Sequence, residues 1–415
     1  MAQLIFSGAV SGKGGSLRKV KVLHISQATG GVQRHVIDVV SRIDKSRFEV
    51  AGICPPQDLI KGVSTDKESL LEAFKRVGVR AYPMVMRREI SPISDLAIFW
   101  RLYSFLKKEK FDVVHTHSSK AGFLGRIAAK MAGVPVIVYT PNNFAFDRPR
   151  WMIAQIVFFG LLEKFAGLFC DRVFAVCRDE KELAVRLGVL PKEKITLISN
   201  FIDVSRLNFG VDAAKKRIEL GIKENERLIV SVGRLAAQKS PRDFVLAAET
   251  VLQKRKDARF LFLGDGPLFK ETESLIKKKN LTDYVRILGW RNDSIEVIAA
   301  SDIFVLASLW EVLPNHSLLD AMALSKPAVI TTTSGARDMV TDGFNGYVVP
   351  VADRAAMAEA ILKLLELPAG ELKQLGKHSK EIFDKRPSPG EIVRIIEDAY
   401  IGILYRKGRM SNDKI

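Results

Sequence analysis

The segment VVHTHSSKAGFLGRIAAKMAGVPVIVY, Val113 to Tyr139, sets the architecture. Val113–His117 is a short β-branched run, Ala121–Ala132 carries small and apolar residues at helical spacing, and Val134–Tyr139 is β-branched again. A strand, a helix and a strand in so short a span predict a βαβ unit with parallel strands. The same alternation runs upstream, in Val20–Ser26 followed by Gln33–Ile43, and downstream in the helical pattern Met152–Phe169. After a variable stretch at Asp203–Asn225 it starts again, with strands at Arg227–Gly233, Phe260–Gly264, Val285–Gly289, Ile303–Ala307 and Ala328–Thr332. The expected fold is α/β, two doubly wound parallel sheets covered by helices on both faces. Ligands of such sheets bind outside the carboxyl ends of the strands, so a cleft between the domains is the expected site. The expected divisions are a flexible leader at 1–19, a first domain at 20–205, a second at 206–385, and a C-terminal helix with its tail at 386–415. The last helical pattern, Pro389–Tyr405, either closes the second domain or straps back onto the first.

A chain of 415 residues has length for about two to four domains and needs no metal or disulfide staple. Its three cysteines, Cys54, Cys170 and Cys177, form no CxxC pair, so a reducing, cytoplasmic compartment is expected. The net charge is +17, and residues 1–200 hold 31 basic against 18 acidic side chains. That surplus could meet nucleic acid, an anionic membrane or a phosphorylated substrate. No run of six like charges occurs, so no nucleic acid partner is expected. Met1–Lys19 is rich in Gly and Ser and lacks the apolar core of a signal peptide. Glu163 and Lys164 interrupt the apolar stretch Trp151–Cys170, which reads as a core helix or an interfacial one rather than a membrane span.

Candidate chemistry gathers at the ends of the expected strands. Gly30-Gly31 precedes a helix, where backbone N–H groups and the positive helix end can approach an anion; a simple turn explains the pair as well. Arg234 leaves the next domain's first strand in Val232-Gly233-Arg234-Leu235, with Lys239 five residues on. A guanidinium fork and an ammonium there could neutralise a diphosphate. Gly264-Asp265-Gly266-Pro267 is a tight turn at the following strand end. Between Ala307 and Gly346, Glu311 stands in a loop, Pro314 suits the first turn of a helix, and Asp320 lies on the helix Asn315–Leu324. These two carboxylates could hold sugar and ribose hydroxyls from one wall. Ser334-Gly335 would place one more helix N-terminus toward phosphate.

The ordered set Gly30-Gly31-Val32, His115-Thr116-His117-Ser118-Ser119-Lys120-Ala121-Gly122, Val232-Gly233-Arg234-Leu235 with Gln238-Lys239, Gly264-Asp265-Gly266-Pro267, Trp310-Glu311 to Asp320-Ala321-Met322-Ala323, and Asn345-Gly346 resembles the family 4 retaining glycosyltransferases. The likeness runs over about residues 20–405. It implies the GT-B fold, two Rossmann-like domains facing a cleft with the C-terminal helix crossing back, and a role in polysaccharide or glycolipid biosynthesis. It further implies a nucleotide-diphosphate-sugar co-substrate, a saccharide or lipid-linked acceptor, and no cofactor. Arg234 and Lys239 match the pair that holds the donor diphosphate, and Glu311 matches the first acid of the E-x7-E motif, on the transferred sugar. Asp320 stands near the second acid, on the ribose. Gly30 and Gly31 match the loop that reaches the donor from the first domain, and Gly264, Ser334 and Gly335 complete the expected donor set.

Three departures accompany the likeness. Eight residues separate Glu311 from Asp320, and the second acid is Asp. Asn142 stands where the family usually has an active-site histidine, and asparagine takes no proton at neutral pH. His117 is then a further catalytic candidate or a structural histidine at a strand end. In Asn200-Phe201-Ile202-Asp203 the family usually has Gly second. No Asp-x-Asp pair occurs, so cations and helix ends are expected to carry the phosphate charge without a metal. Two other readings keep the fold: a nucleotide-sugar epimerase or phosphorylase, and a degenerate protein that binds nucleotide-sugar or a partner without turnover. The basic first domain and Trp151–Cys170 would suit peripheral contact with an anionic membrane at its inner face.

Overall fold

A computed structural model describes residues 18–27, 30–56, 69–86, 90–148, 152–207 and 210–410. Residues 1–17 of the expected leader and 411–415 of the tail lie outside the described residues. The first sheet holds β1 (Val20–Ile25), β2 (Phe48–Cys54), β3 (Arg80–Pro83), β4 (Val113–His117), β5 (Val136–Thr140), β6 (Arg172–Ala175) and β7 (Ile195–Leu197). Their order is β3-β2-β1-β4-β5-β6-β7, all parallel. The second holds β8 (Arg227–Val232), β9 (Ala258–Leu263), β10 (Val285–Ile287), β11 (Ile303–Leu306), β12 (Ala328–Thr331) and β13 (Gly346–Val349), in the parallel order β10-β9-β8-β11-β12-β13. In each sheet the order reverses beside the first strand, which opens a crevice at the carboxyl ends of β1 and β4 and of β8 and β11.

The central strands carry apolar residues on both sides because both faces are covered. Leu23, Ile25, Val114 and Ile137 pack under the helices Pro92–Glu109 and Ser119–Met131. On the opposite face Val22, Val113 and Val138 meet Ile392, Ile396, Tyr400 and Leu404 of the helix Pro389–Arg406. That helix starts on a capping box, Ser388 with Glu391, and Pro389 occupies its first turn. Its apolar face lies on the first domain, so the C-terminal helix is a strap rather than a lid on the second. Where the family usually has glycine, Phe201 is buried, and Arg42 lies 5.7 Å over its ring while bonding Asp203 at 2.7 Å.

The helix Ile153–Gly167 runs against the simplest reading of its composition. Ile153, Val157, Phe158, Leu161 and Phe165 are at least half exposed, and its buried residues are Glu163, Ala166 and Gly167. Glu163 faces inward because Arg126, fully buried on the neighbouring helix, needs a counter-charge: Arg126 donates to its carboxylate at 2.6 Å and Tyr139 donates at 3.0 Å. The apolar residues are thereby turned outward.

Candidate active site

The strand ends of both domains line one cleft of about 2040 Å³. From the second domain, Gly233 and Arg234 follow β8 and Lys239 ends the 3-10 turn Ala237–Lys239. The Lys239 ammonium donates to Glu311, whose other oxygen accepts from Ser308 Oγ at 2.8 Å. Gln238 ties the same turn to the Glu311 loop by donating to the carbonyl of Trp310 at 3.0 Å. Gly264, at φ 137°, closes this wall: a Cβ there would stand 1.9 Å from the Gly233 carbonyl, so no other residue lets the two strand ends meet.

Across the cleft, Gly30 and Gly31 open the helix Gly31–Val40, which has no acidic residue in its first turn. Its positive end is therefore turned to the cleft without a built-in counter-charge. Arg34 of this helix lies 3.9 Å from Asp320, a residue only 4% exposed. Asp320 sits on the helix His316–Ala323, which Asn315 caps by accepting the Leu318 N–H at 2.8 Å. Pro314 thus precedes the cap instead of occupying the first helical turn. Asn142 also lines the cleft; its backbone is left-handed, at φ 51°, and its buried Nδ2 has no hydrogen-bond partner among the described residues.

Gly30, Gly31, Asn142, Arg234, Lys239, Gly264, Glu311 and Asp320 therefore converge, whereas His117, Ser334 and Gly335 do not line the cleft. His117 is fully buried one residue short of it and holds His24 Nδ1 at 3.0 Å. Burial, with His115 and His24 beside it, keeps its imidazole neutral, its pKa well below the ordinary histidine value. A side chain on the last residue of β4 points into the layer beneath the strap, not past the strand end. Ser334 and Gly335 lie at the domain junction, where two first-domain carboxylates occupy the donors expected to meet phosphate. Ser334 Oγ donates to Asp147 at 2.6 Å and the Gly335 N–H donates to Asp179 at 2.7 Å.

Among the described residues, His24, His115 and His117 are the group whose ligating atoms come within 4.8 Å of one another. Hydrogen bonds join them into a buried polar cluster with Tyr400 and Thr140. The His24 and His117 rings lie 13° from parallel with centroids 5.3 Å apart, and His24 Nδ1 and His117 Nε2 share a direct hydrogen bond of 3.0 Å. Both nitrogens of His115 are taken, by Tyr400 at 2.5 Å and Thr140 at 2.7 Å.

The structure adds cleft residues that sequence reading passed over: Arg34, Arg148, Trp290, Arg291 and His316. Arg34 had a signal, a cation one turn past a glycine pair at a helix N-terminus that faces the cleft. Trp290 comes directly after Gly289, whose carbonyl accepts the Gly264 N–H at 2.8 Å, at the neighbouring strand end. Arg148 had none, since only folding lays its guanidinium 4.8 Å over the Trp310 ring of the other domain.

Comparisons with known proteins agree with this geometry. Residues 29–206 match Glycosyltransferase Family 4 and residues 212–382 match Glycosyl transferases group 1. The chain is 32% identical over 400 residues to the Escherichia coli UDP-Gal:alpha-D-GlcNAc-diphosphoundecaprenol alpha-1,3-galactosyltransferase, covering 94% of this chain and 98% of that one. It is 26% identical to the Bacillus anthracis N-acetyl-alpha-D-glucosaminyl L-malate synthase, over 78% and 86% of the two chains. Anabaena HepE, solved with UDP-glucose, superposes with a TM-score of 0.75 at 20% identity, over 92% of this chain and 99% of that one. Sucrose-phosphate synthase from Thermosynechococcus elongatus gives 0.76 at 18% identity, over 94% and 100%. The chain belongs to the family 4 glycosyltransferases, with their GT-B fold.

Proposed function

We propose that the protein transfers a sugar from a UDP-sugar to a lipid-linked diphosphate saccharide in cell-envelope polysaccharide or glycolipid synthesis, with retention at the anomeric carbon. The observation that carries this reading is the wall formed by Arg234, Lys239 and Glu311 opposite the helix N-terminus at Gly30-Gly31. UDP is the donor nucleotide on the strength of HepE, solved with UDP-glucose, and of the E. coli relative, a UDP-Gal enzyme. The lipid diphosphate acceptor is carried over from that relative's substrate.

In this reading Arg234 and Lys239 bind the donor diphosphate and take up the charge that grows on it as the bond to the anomeric carbon breaks. The helix N-terminus at Gly31 adds to the same field, so the protein's own groups carry the phosphate charge without a metal. Glu311 orients the transferred sugar. Its carboxylate is already committed to Lys239 and Ser308, which suits a hydroxyl-binding role better than a nucleophile's. The acceptor oxygen then attacks from the face the diphosphate leaves. Its proton passes to a phosphate oxygen of the departing UDP, and Asn142 offers an amide donor to substrate from the first domain.

The acceptor's lipid calls for a membrane, and the outward face of Ile153–Gly167 supports peripheral contact at the inner, cytoplasmic side. Phe158 and Phe159 of that helix line the cleft, and Ile93, Leu96 and Trp100 of the helix Pro92–Glu109 are exposed as well. No helix among the described residues is long and apolar enough to cross a membrane. Incubation with a panel of UDP-sugars and a diphosphate-linked lipid GlcNAc acceptor, followed by UDP release and product mass, tests the reading. Folded protein that binds no UDP-sugar contradicts it.

A further inference from the structure

The turn Ser334-Gly335, off the cleft, joins a network that leads back to it. Gly335 is left-handed at φ 81°, and a Cβ there would stand 2.4 Å from the Leu313 carbonyl and 2.9 Å from Cys177 Cβ in the other domain. Only glycine lets this turn nest between the domains. Its N–H reaches Asp179, and Ser334 reaches Asp147. Asp179 is followed directly by Glu180 in the first turn of the helix Arg178–Arg186. Glu180 is fully buried and accepts the Val176 N–H at 2.7 Å and the Asn143 N–H at 3.1 Å. Asn143 at φ 102° and Asn142 at φ 51° are two consecutive left-handed residues, a conformation that persists only where its surroundings hold it. The segment 142–147 is thus held at its start by Glu180 and at its end by a hydroxyl of the opposite domain. The next residue, Arg148, lies over Trp310, the neighbour of Glu311.

We propose that Asp147, Asp179 and Glu180 are positioning residues, which register the Asn142 amide against the donor wall through the Ser334-Gly335 turn of the second domain. The inference rests on the transferase reading and names what sets the acceptor-side half of that site. None of these residues touches Arg234 or Lys239, so they act on the geometry of transfer and not on donor capture. A displacement of about 1 Å in a positioned group costs about 10²-fold in rate.

Ser334→Ala and Asp147→Asn disturb the same hydrogen bond from its two ends. Each is expected to lower kcat about 10- to 100-fold while the donor KM and the calorimetric UDP affinity stay within threefold. The double variant is expected to be no slower than the worse single one, and Ser334→Thr, which keeps the hydroxyl, to restore turnover. Glu180→Gln puts an amide N–H against a backbone donor and should lower kcat in the same way. Amide hydrogen exchange supplies a readout independent of turnover: Ser334→Ala should speed exchange over 143–147 and leave β8 unchanged. Wild-type kcat or unchanged exchange in folded Ser334→Ala overturns the proposal. A parallel loss of UDP affinity also overturns it, because the turn would then belong to the donor site. Wild-type turnover reports on the transferase reading alone, and the ratio of variant to wild type reports on the relay.

Discussion

Replacing Lys239 with alanine removes the cation at the centre of the donor wall, and the structure sets the scale of the loss. Lys239 is 14% exposed and its partner Glu311 is 10% exposed by side chain, so the pair is weakly screened. A unit charge about 4 Å from a phosphate oxygen, at an effective dielectric near 20, is worth about 4 kcal/mol. The part that counts toward rate is the increase as the diphosphate departs, and removal of one such preorganised group slows comparable reactions by about 10²–10³-fold. Lys239→Ala should therefore lower kcat by about 10²–10³-fold. It should also raise the donor KM, because Glu311 is left as an uncompensated anion facing a diphosphate. The double variant Lys239→Ala/Glu311→Gln recovers part of the KM effect but not kcat. Steady-state UDP release, with circular dichroism and Tm to confirm folding, measures both. A folded Lys239→Ala enzyme with kcat within threefold of wild type refutes the assignment of Lys239 to the leaving diphosphate.

Glu163→Ala leaves the fully buried Arg126 charge unpaired and should destabilise the first domain by about 3–5 kcal/mol, lowering its thermal midpoint by roughly 10 °C, whereas Arg126→Met/Glu163→Leu should recover most of the loss. The buried histidines predict acid sensitivity. Burial lowers His24 to about 3 and His35 to about 4, so the unfolded chain binds more protons below about pH 6.5, and each histidine should cost about 1.4 kcal/mol per pH unit as pH falls toward those values. Urea midpoints at pH 7 and 5.5 measure that slope, and His24→Gln should reduce it. Leu161→Asp/Phe165→Asp, on the exposed face, should leave folding intact and weaken sedimentation with anionic vesicles by at least about tenfold.

Much of the architecture is legible in sequence because strands covered on both faces carry apolar residues at successive positions, as at Val22-Leu23 of β1, Val113-Val114 of β4, Leu228-Ile229-Val230 of β8 and Phe260–Leu263 of β9. β3, β7 and β13 are not legible on that ground: they are edge strands of three or four residues, RAYP, ITL and GYVV, too short to show a pattern. β2, with Glu49 exposed, is obscured by its polar entry. The cleft wall proposed to hold the donor is legible for a related reason, since Arg234, Lys239 and Gly264 are placed by the strands they follow. His117 and Ser334-Gly335 are not, because a helix end or a strand-end histidine looks the same in sequence whether a ligand or another domain fills the space before it. For Ser334 and Gly335 that filler is Asp147 and Asp179, more than 150 residues away in sequence. The outward turn of Ile153–Gly167 is equally nonlocal, since Arg126 decides which side of that helix faces in.

The most direct test of the central claim is transfer itself, followed by NMR of the anomeric centre in product formed from a UDP-α-sugar and a diphosphate-linked lipid saccharide, with and without EDTA. The account predicts an α-linked product, stoichiometric UDP and equal rates in both conditions. A β-linked product, or binding of UDP-sugar with no transfer to any lipid diphosphate acceptor, contradicts it.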